Sequence, residues 1–394
     1  MRTRYKAVPA LYVFLAAGAA LAQAQAPQID AADDAQFMPK KDNVLFWTPA
    51  EQVSGYRNMD KIAPTRVIKA SATPYPLPAK LADIGSVSFA HGVAEMSVDE
   101  YFASQNVAGL IVVKNGNVIY ERYGLGNTAA TPWVSFSVAK SVVSMLVGAA
   151  IKDGYINNVD EKVTDYLPRL KGTSYDQATI KDILQMASGV AWNEDYGDPN
   201  SDVARATYES VALYSYLGSK PRDHAPGEVF NYNTGETNLV GTLLRSAIGN
   251  NLATYLSAKI WQPFGMEHDA SWNLTEPGGG EFGGCCINAS LRDYARLGLF
   301  AMRDGRLPDG SSSLPTGWMK ASTTPSQGYA GYGYLWWLVG DGVYRASGIF
   351  DQGIYIHPSA NVVIAMHSAR SAASTADDKD LQAIMFDAVV ESLR

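Results

Sequence analysis

Ser137 and Lys140 stand three residues apart at the head of a run, residues 138 to 151, that is apolar on almost every side. On a helix, positions three apart lie on one face a turn apart, so the amine of Lys140 can approach the hydroxyl of Ser137. The first turn also leaves N–H groups unsatisfied and carries the positive end of the helix dipole, which favours negative charge developing near the serine oxygen. A lysine titrates near 10.4 in water and is a poor base at neutral pH, but burial among apolar side chains lowers that value. This makes Ser137 a candidate nucleophile and Lys140 its activator. Spacing by itself is weak evidence: at roughly 6% each for Ser and Lys, a chain of this length holds about one Ser-x-x-Lys by chance. The plainer alternative is a core helix with a capping serine and a lysine at its rim.

The surrounding elements have to hold this pair in place. Pro132 and the aromatic and β-branched residues after it disfavour helix before Ser135, and Lys152, Asp153 and Gly154 supply a cation and a glycine where the helix should end. Upstream, residues 109 to 114 and 118 to 123 are β-rich runs around Asn115-Gly116, a hairpin signal. Downstream, residues 179 to 186, 237 to 248 and 252 to 261 have helical spacing, and Ser290 with Asp293 caps a helix through Met302. Residues 46 to 52 open a short helix nearer the N-terminus. Strands are expected again at 332 to 339, 343 to 346, 353 to 357 and 362 to 366, followed by an amphipathic helix from about 377 to 393. The expectation is an α+β fold: one antiparallel sheet built from both termini (about 86–135 and 330–394), flanked by helices, with a helical insert at about 155–325. Residues 25–85, punctuated by seven prolines, read as an N-terminal arm before the main domain at 86–394. The cleft between sheet and insert is the expected active site.

Arg2, Arg4 and Lys6 precede an apolar run from Val8 to Ala22 and then Ala22-Gln23-Ala24, the pattern of a signal peptide over residues 1–24. The expectation is an exported, periplasmic protein with no membrane anchor. Removing three cations and no acid takes the formal charge from -7 to -10, which argues against nucleic acid or an anionic membrane as partner. The 5 histidines show no ligand spacing, so no metal site and no cofactor are expected. Cys285 and Cys286 are the only cysteines, and neighbours bridge only with strain, so both are expected as packed, reduced thiols. The assembly is expected to be a monomer or homodimer.

Taken in order, these motifs resemble the serine β-lactamase and penicillin-binding-protein superfamily, whose first motif is Ser-x-x-Lys at the head of a buried helix. The Gly-x-Ser-x-Gly of α/β-hydrolases is absent. The second motif of the class C branch and its esterase relatives is Tyr-x-Asn after Pro-Gly and an aromatic residue. Here Pro226-Gly227-Glu228-Val229-Phe230-Asn231-Tyr232-Asn233-Thr234 places Tyr232 on the tyrosine and Thr234 where the asparagine would stand. A hydroxyl there can still bond the lysine or substrate, without an amide's paired donor and acceptor. Lys-Thr-Gly, the third motif, is replaced by Ala346-Ser347-Gly348, so the cation that would hold a β-lactam or peptide carboxylate is missing. That departure disfavours β-lactamase and D-alanyl carboxypeptidase activity.

Trp192-Asn193-Glu194-Asp195-Tyr196-Gly197-Asp198-Pro199-Asn200-Ser201-Asp202 more narrowly resembles a loop of the nylon-oligomer (6-aminohexanoate-dimer) hydrolases. The likeness extends over roughly residues 105 to 370, through 232 to 238, 290 to 293 and 348 to 352, with Asp351 where those relatives carry glycine. It implies a β-lactamase/transpeptidase-like serine hydrolase that cleaves amide or ester bonds of small linear substrates through an acyl-enzyme. Ser137, Lys140 and Tyr232 would be catalytic, and Tyr196, Thr234, Ser347, Gly348 and Ile349 would bind substrate. Tyr196 would close over the scissile amide nitrogen. One oxyanion donor would be the Ser137 N–H, the other a backbone N–H between Ser347 and Phe350. Glu194 and Asp195 read either as a solvated acidic loop or as an attractor for a substrate ammonium. The rival readings are a plain carboxylesterase, with Tyr196 a bystander, and a non-catalytic periplasmic binding or sensor module.

Overall fold

The computed structural model describes residues 24–40 and 43–394, so the leader, save Ala24, lies outside the described residues. Twelve strands are present among them: β1 (Thr65–Ile68), β2 (Ser88–His91), β3 (Ala94–Ser97), β4 (Val107–Lys114), β5 (Asn117–Tyr123), β6 (Trp133–Val134), β7 (Ala270–Asn273), β8 (Ile287–Ala289), β9 (Trp337–Gly340), β10 (Val343–Ser347), β11 (Gly353–His357) and β12 (Val362–Ser368). Six of them form the main sheet in the order β5-β4-β12-β11-β10-β9, antiparallel throughout. The two ends of the chain meet where β12 pairs β4, from Val362 opposite Lys114 to Ser368 opposite Val107. At the β4–β5 hairpin both Asn115 and Gly116 take positive φ, the conformation a two-residue turn of matching twist requires.

All seven β12 residues are buried, so neither face of the sheet centre meets water. Period-two alternation sorts them: Val363 and Ala365 belong to the core that also holds the central helix Val138–Lys152, with Val363 lying against Gly298 of the helix Leu291–Met302, while Val362, Ile364 and Met366 share a second core with Phe386 and Val389 of the C-terminal helix Ala376–Ser392. The central helix is buried along nearly its whole length, which explains why its sequence carries no polar stripe. It packs against the helix Thr234–Ile248, and the helix Leu291–Met302, capped by Ser290, packs on β12, β11 and β4.

The antiparallel sheet expected from the two termini is present, and three details of the sequence reading need correction. The architecture has a second, four-stranded sheet, β1-β7-β8-β6, besides the one expected from the termini, and a two-stranded β2-β3 ribbon. Its members span two to four residues, too few for alternation to register in sequence. Nor is 332 to 339 one strand. Leu335 adopts φ 58, its N–H bonds the Leu184 carbonyl at 2.9 Å and its own carbonyl accepts from Ser141 Oγ at 2.7 Å. The segment therefore docks inward on the central helix, and pairing begins at Trp337.

The described residues before β1 are bound tightly into the fold. Thr48 and Glu51 form a capping box that starts the helix Pro49–Tyr56. The buried Arg57 guanidinium pairs with Asp34 and donates to the carbonyls of Leu125 (3.0 Å) and Ile29 (2.8 Å). Tyr56 is fully buried with its ring 5.1 Å from Phe136, 5.6 Å from Trp133 and 5.8 Å from Phe350. A third correction concerns Cys285 and Cys286, expected as free thiols: the structure joins them to each other. Cys286 has φ 76, behind two glycines, and that turn brings neighbouring side chains, which normally diverge, to one side.

Tyr56→Ala removes a ring from this buried aromatic cluster and is expected to cost about 3–5 kcal/mol of stability. Urea unfolding of the variant checks this, and a loss below about 1 kcal/mol would show that the N-terminal segment is peripheral.

Candidate active site

Ser137 sits on a short path from sheet to helix. Strand β6 pairs β8 at Trp133–Ala289 and Val134–Asn288, and Ser135 continues the ladder with its N–H on the Ile287 carbonyl at 2.8 Å. Phe136 then takes φ 44, a conformation a bulky residue adopts at a cost of order 1–3 kcal/mol. Its ring is held between Tyr56 and Phe350, 5.1 and 5.0 Å away, which supplies the packing that sustains the strain. The result is a sharp corner with Ser137 at its apex, immediately before Val138, the first residue of the central helix. Ser137 is partly exposed and lines a cavity of about 630 Å³.

Lys140 lies one turn on and is buried. Its Nζ donates to Ser137 Oγ at 2.7 Å, Thr234 Oγ1 at 3.0 Å and the Gly284 carbonyl at 2.9 Å. Three acceptors match the three donors of an ammonium. Burial pushes this lysine down to about 8, against the opposing pull of Glu194. At that value about a tenth of the molecules carry a free amine at pH 7, against fewer than one in a thousand for an ordinary lysine.

Tyr232 completes the group. Lys140 Nζ lies 5.1 Å from the centre of its ring, which stacks on Trp337 at 5.6 Å. Burial and the charge of Glu194 push its phenol well above the ordinary tyrosine range, while a hydrogen bond with Ser137 works the other way. The phenol is therefore neutral at pH 7 and a proton donor.

Glu194 has a larger part in the site than an acidic surface loop would. Its carboxylate accepts from Tyr196 Oη at 2.6 Å, the Thr234 N–H at 3.0 Å, Thr234 Oγ1 and Trp192 Nε1. So the acid expected either to be solvated or to attract an ammonium is engaged by four donors. Asp195 is exposed and accepts from the Gly197 N–H at 2.9 Å. Thr234, the first residue of its helix, accepts from Lys140 and donates to Glu194, so the 192–202 loop, the Thr234 helix and the central helix are bonded through one hydroxyl.

Strand β10 forms another wall. Ser347, Gly348 and Ile349 line the cavity with Ser137, Tyr196 and Tyr232. Beyond the strand, the Gly348 N–H bonds the Gln352 carbonyl at 2.7 Å and the Phe350 N–H bonds Gln352 Oε1 at 3.2 Å. Among the described residues, the N–H groups of Ile349 and Ser137 have no acceptor. A side chain at Gly348 would meet Gln352 Oε1 at 2.6 Å and the Ser135 carbonyl at 2.9 Å, so glycine lets β10 approach the serine corner. Asp351 is not part of the cavity floor: it is buried at φ 67, paired with Lys379 at 2.8 Å and Arg370 at 3.4 Å, and ties the end of β10 to the C-terminal helix. Among the described residues no group of three His, Cys, Asp or Glu side chains is placed to hold a metal ion.

Every residue singled out in the sequence as catalytic or substrate-binding thus lies in or against one cavity. Sequence reasoning missed the role of Glu194, the Gly284 carbonyl, and the aromatic wall of Trp337 and Tyr329. Gly283-Gly284 was visible as a glycine pair, but nothing local says which carbonyl a distant lysine will find.

The sequence profile of the Beta-lactamase family matches residues 97–387. The 6-aminohexanoate-dimer hydrolase of Paenarthrobacter ureafaciens is 26% identical over 279 residues, 64% of this chain and 70% of that protein. A Bacillus anthracis structure provisionally assigned as a 6-aminohexanoate-dimer hydrolase superposes with a TM-score of 0.80 at 22% identity, covering 90% of this chain and 98% of that one. A class C β-lactamase superposes with a TM-score of 0.56 at 15% identity, over 75% of this chain and 95% of that one. With the profile spanning most of its length, on a β-lactamase/transpeptidase-like fold, the chain belongs to the Beta-lactamase family.

Proposed function

We propose that this protein is an exported serine hydrolase that cleaves amide or ester bonds of small linear substrates through an acyl-enzyme. The observation that carries the reading is the buried Lys140 amine, 2.7 Å from the Ser137 hydroxyl and pushed down to about 8. Lys140 takes the Ser137 proton as Oγ attacks the carbonyl carbon. Negative charge moves to the carbonyl oxygen, for which the unengaged N–H groups of Ser137 and Ile349 are the donors. On collapse of the tetrahedral species the leaving amine or alkoxide takes a proton from Tyr232, which recovers it from the Lys140 ammonium. Water, deprotonated by the same pair, then releases the acid and restores Ser137. Tyr196, on the cavity wall and bonded to Glu194, is the group assigned to the amide nitrogen of the substrate. Relatedness to 6-aminohexanoate-dimer hydrolase supports the amide side of the reading, and Ala346 in place of a lysine disfavours β-lactams.

Ser137→Ala is expected to abolish turnover and phosphonate labelling, and Lys140→Ala to lower kcat by roughly a thousandfold or more. Either variant keeping near-native rates on a chromogenic ester would remove the assignment. On an ester and an amide sharing one acyl chain, Tyr196→Phe should reduce amide cleavage at least tenfold more than ester cleavage. Equal effects would leave a plain carboxylesterase.

Glu194→Gln has a pH signature. Glu194 opposes the depression of Lys140, so removing its charge lowers that pKa further and frees the amine at lower pH. The acid limb of the pH–kcat/KM profile is expected to move down by roughly one unit, alongside a lower maximum from the lost bonds to Thr234 and Tyr196. An unmoved limb would mean that a different group controls it.

A further inference from the structure

The cavity that opens at Ser137 continues along β10 to Arg345, which lies on the same strand face as Ser347, about 7 Å from it at two strand residues. Arg345 stands opposite Trp337 and Tyr355 in register. Its Nη1 donates to the Lys379 carbonyl at 3.3 Å, and its buried Nε has no partner. Among the described residues no carboxylate forms an ion pair with it. The nearby anions are otherwise engaged or exposed: Asp351 is taken by Lys379 and Arg370, Asp387 accepts from Tyr355, and Asp380 sits exposed at the cavity rim. Lys379, the other cation on this wall, has its charge met by Asp351. Burial pushes Arg345 below the ordinary arginine range, although Asp351, Asp380, Tyr355 and Asp387 all pull the other way. A largely desolvated guanidinium with no ion-pair partner of its own gains from a ligand that supplies one.

We propose that Arg345 is a carboxylate-binding subsite, so that the preferred substrates are linear esters or amides carrying a terminal carboxylate that lies along β10 while the scissile carbonyl sits at Ser137. The planar fork of the guanidinium suits a carboxylate, and the aromatic wall of Trp337 and Tyr329 flanks the intervening methylenes. This assignment rests on the acyl-transfer reading of the site but names a recognition element for which Ala346 offers no charge.

Two substrate pairs test it, one for each half of the substrate. The first is the 4-nitrophenyl ester of hexanoate against the 4-nitrophenyl half-ester of hexanedioate. The second is the hexanoyl amide of hexylamine against that of 6-aminohexanoate. In the native protein at least one charged member is expected to exceed its neutral partner tenfold or more in kcat/KM. Arg345→Gln should erase most of that ratio, and Arg345→Lys should keep part of it. Independently of turnover, calorimetry on Ser137→Ala should show hexanedioate monoamide binding at least tenfold more weakly once Arg345→Gln is added. No charged preference in either pair, a preference that survives both variants, or unchanged binding overturns the subsite. Should Ser137→Ala retain activity, the reaction assignment fails while the binding result still decides on Arg345. Should Arg345→Gln not fold, the Arg345→Lys ratios and binding decide.

Discussion

The architecture of the site depends on keeping one amine out of water. Lys140 is buried on a helix that is itself buried, and its three donors reach three separate parts of the chain: the serine corner, the head of the Thr234 helix and the Gly284 turn. Burial is what lowers its proton affinity, and the three acceptors are what make burial tolerable. The two requirements oppose each other, because each acceptor that stabilises the ammonium also raises the pKa that burial depresses. Two of the three are a hydroxyl and a carbonyl, neutral groups that satisfy hydrogen bonds without adding charge. The full negative charge of Glu194 reaches the lysine through Thr234, at one remove.

Glu194 then reads as a compromise. It pulls Lys140 up, which costs base strength, yet it also raises Tyr232 and holds Thr234 and Tyr196 in place. A site of this kind needs one group ready to accept a proton and a neighbour that keeps its own at the same pH. One carboxylate that moves both affinities upward serves the second need directly, and the first survives because desolvation of Lys140 is the larger effect.

What was legible in the sequence follows from the range of each interaction. Helix caps, the Asn115-Gly116 turn and the buried helix after Ser137 are local, and they lie where spacing and residue type placed them. Substrate-side residues such as Tyr196 and Ile349 were reached through family resemblance, not through any period in the chain. Short strands such as β6 and β8 escaped because two or three residues carry no pattern, although they set the serine corner. The inward fold of 332 to 336 escaped for a related reason. A run of tyrosines and tryptophans has the composition of a strand, and only its contacts with Leu184 and Ser141, about 150 to 195 residues upstream, turn it into a docking loop. The Cys285–Cys286 link depends on backbone sign at Cys286, which residue identity does not encode.

The N-terminal segment shows how far from the chemistry such constraints begin. Phe136 holds a left-handed backbone next to the nucleophile, and a strain of this size relaxes unless packing forbids the alternative. The side chains that forbid it are Phe350, which follows the candidate oxyanion residue Ile349, and Tyr56, from a part of the chain that reads as a proline-rich arm. Tyr56 also touches Phe350 directly, so one ring braces the serine corner and the β10 turn together. The spacing between the Ser137 and Ile349 N–H groups is therefore fixed by a three-ring contact that belongs to neither. Loosening that contact would change catalysis without removing any group that touches substrate, because two donors that fit a developing oxyanion must be held at a set separation before the charge appears.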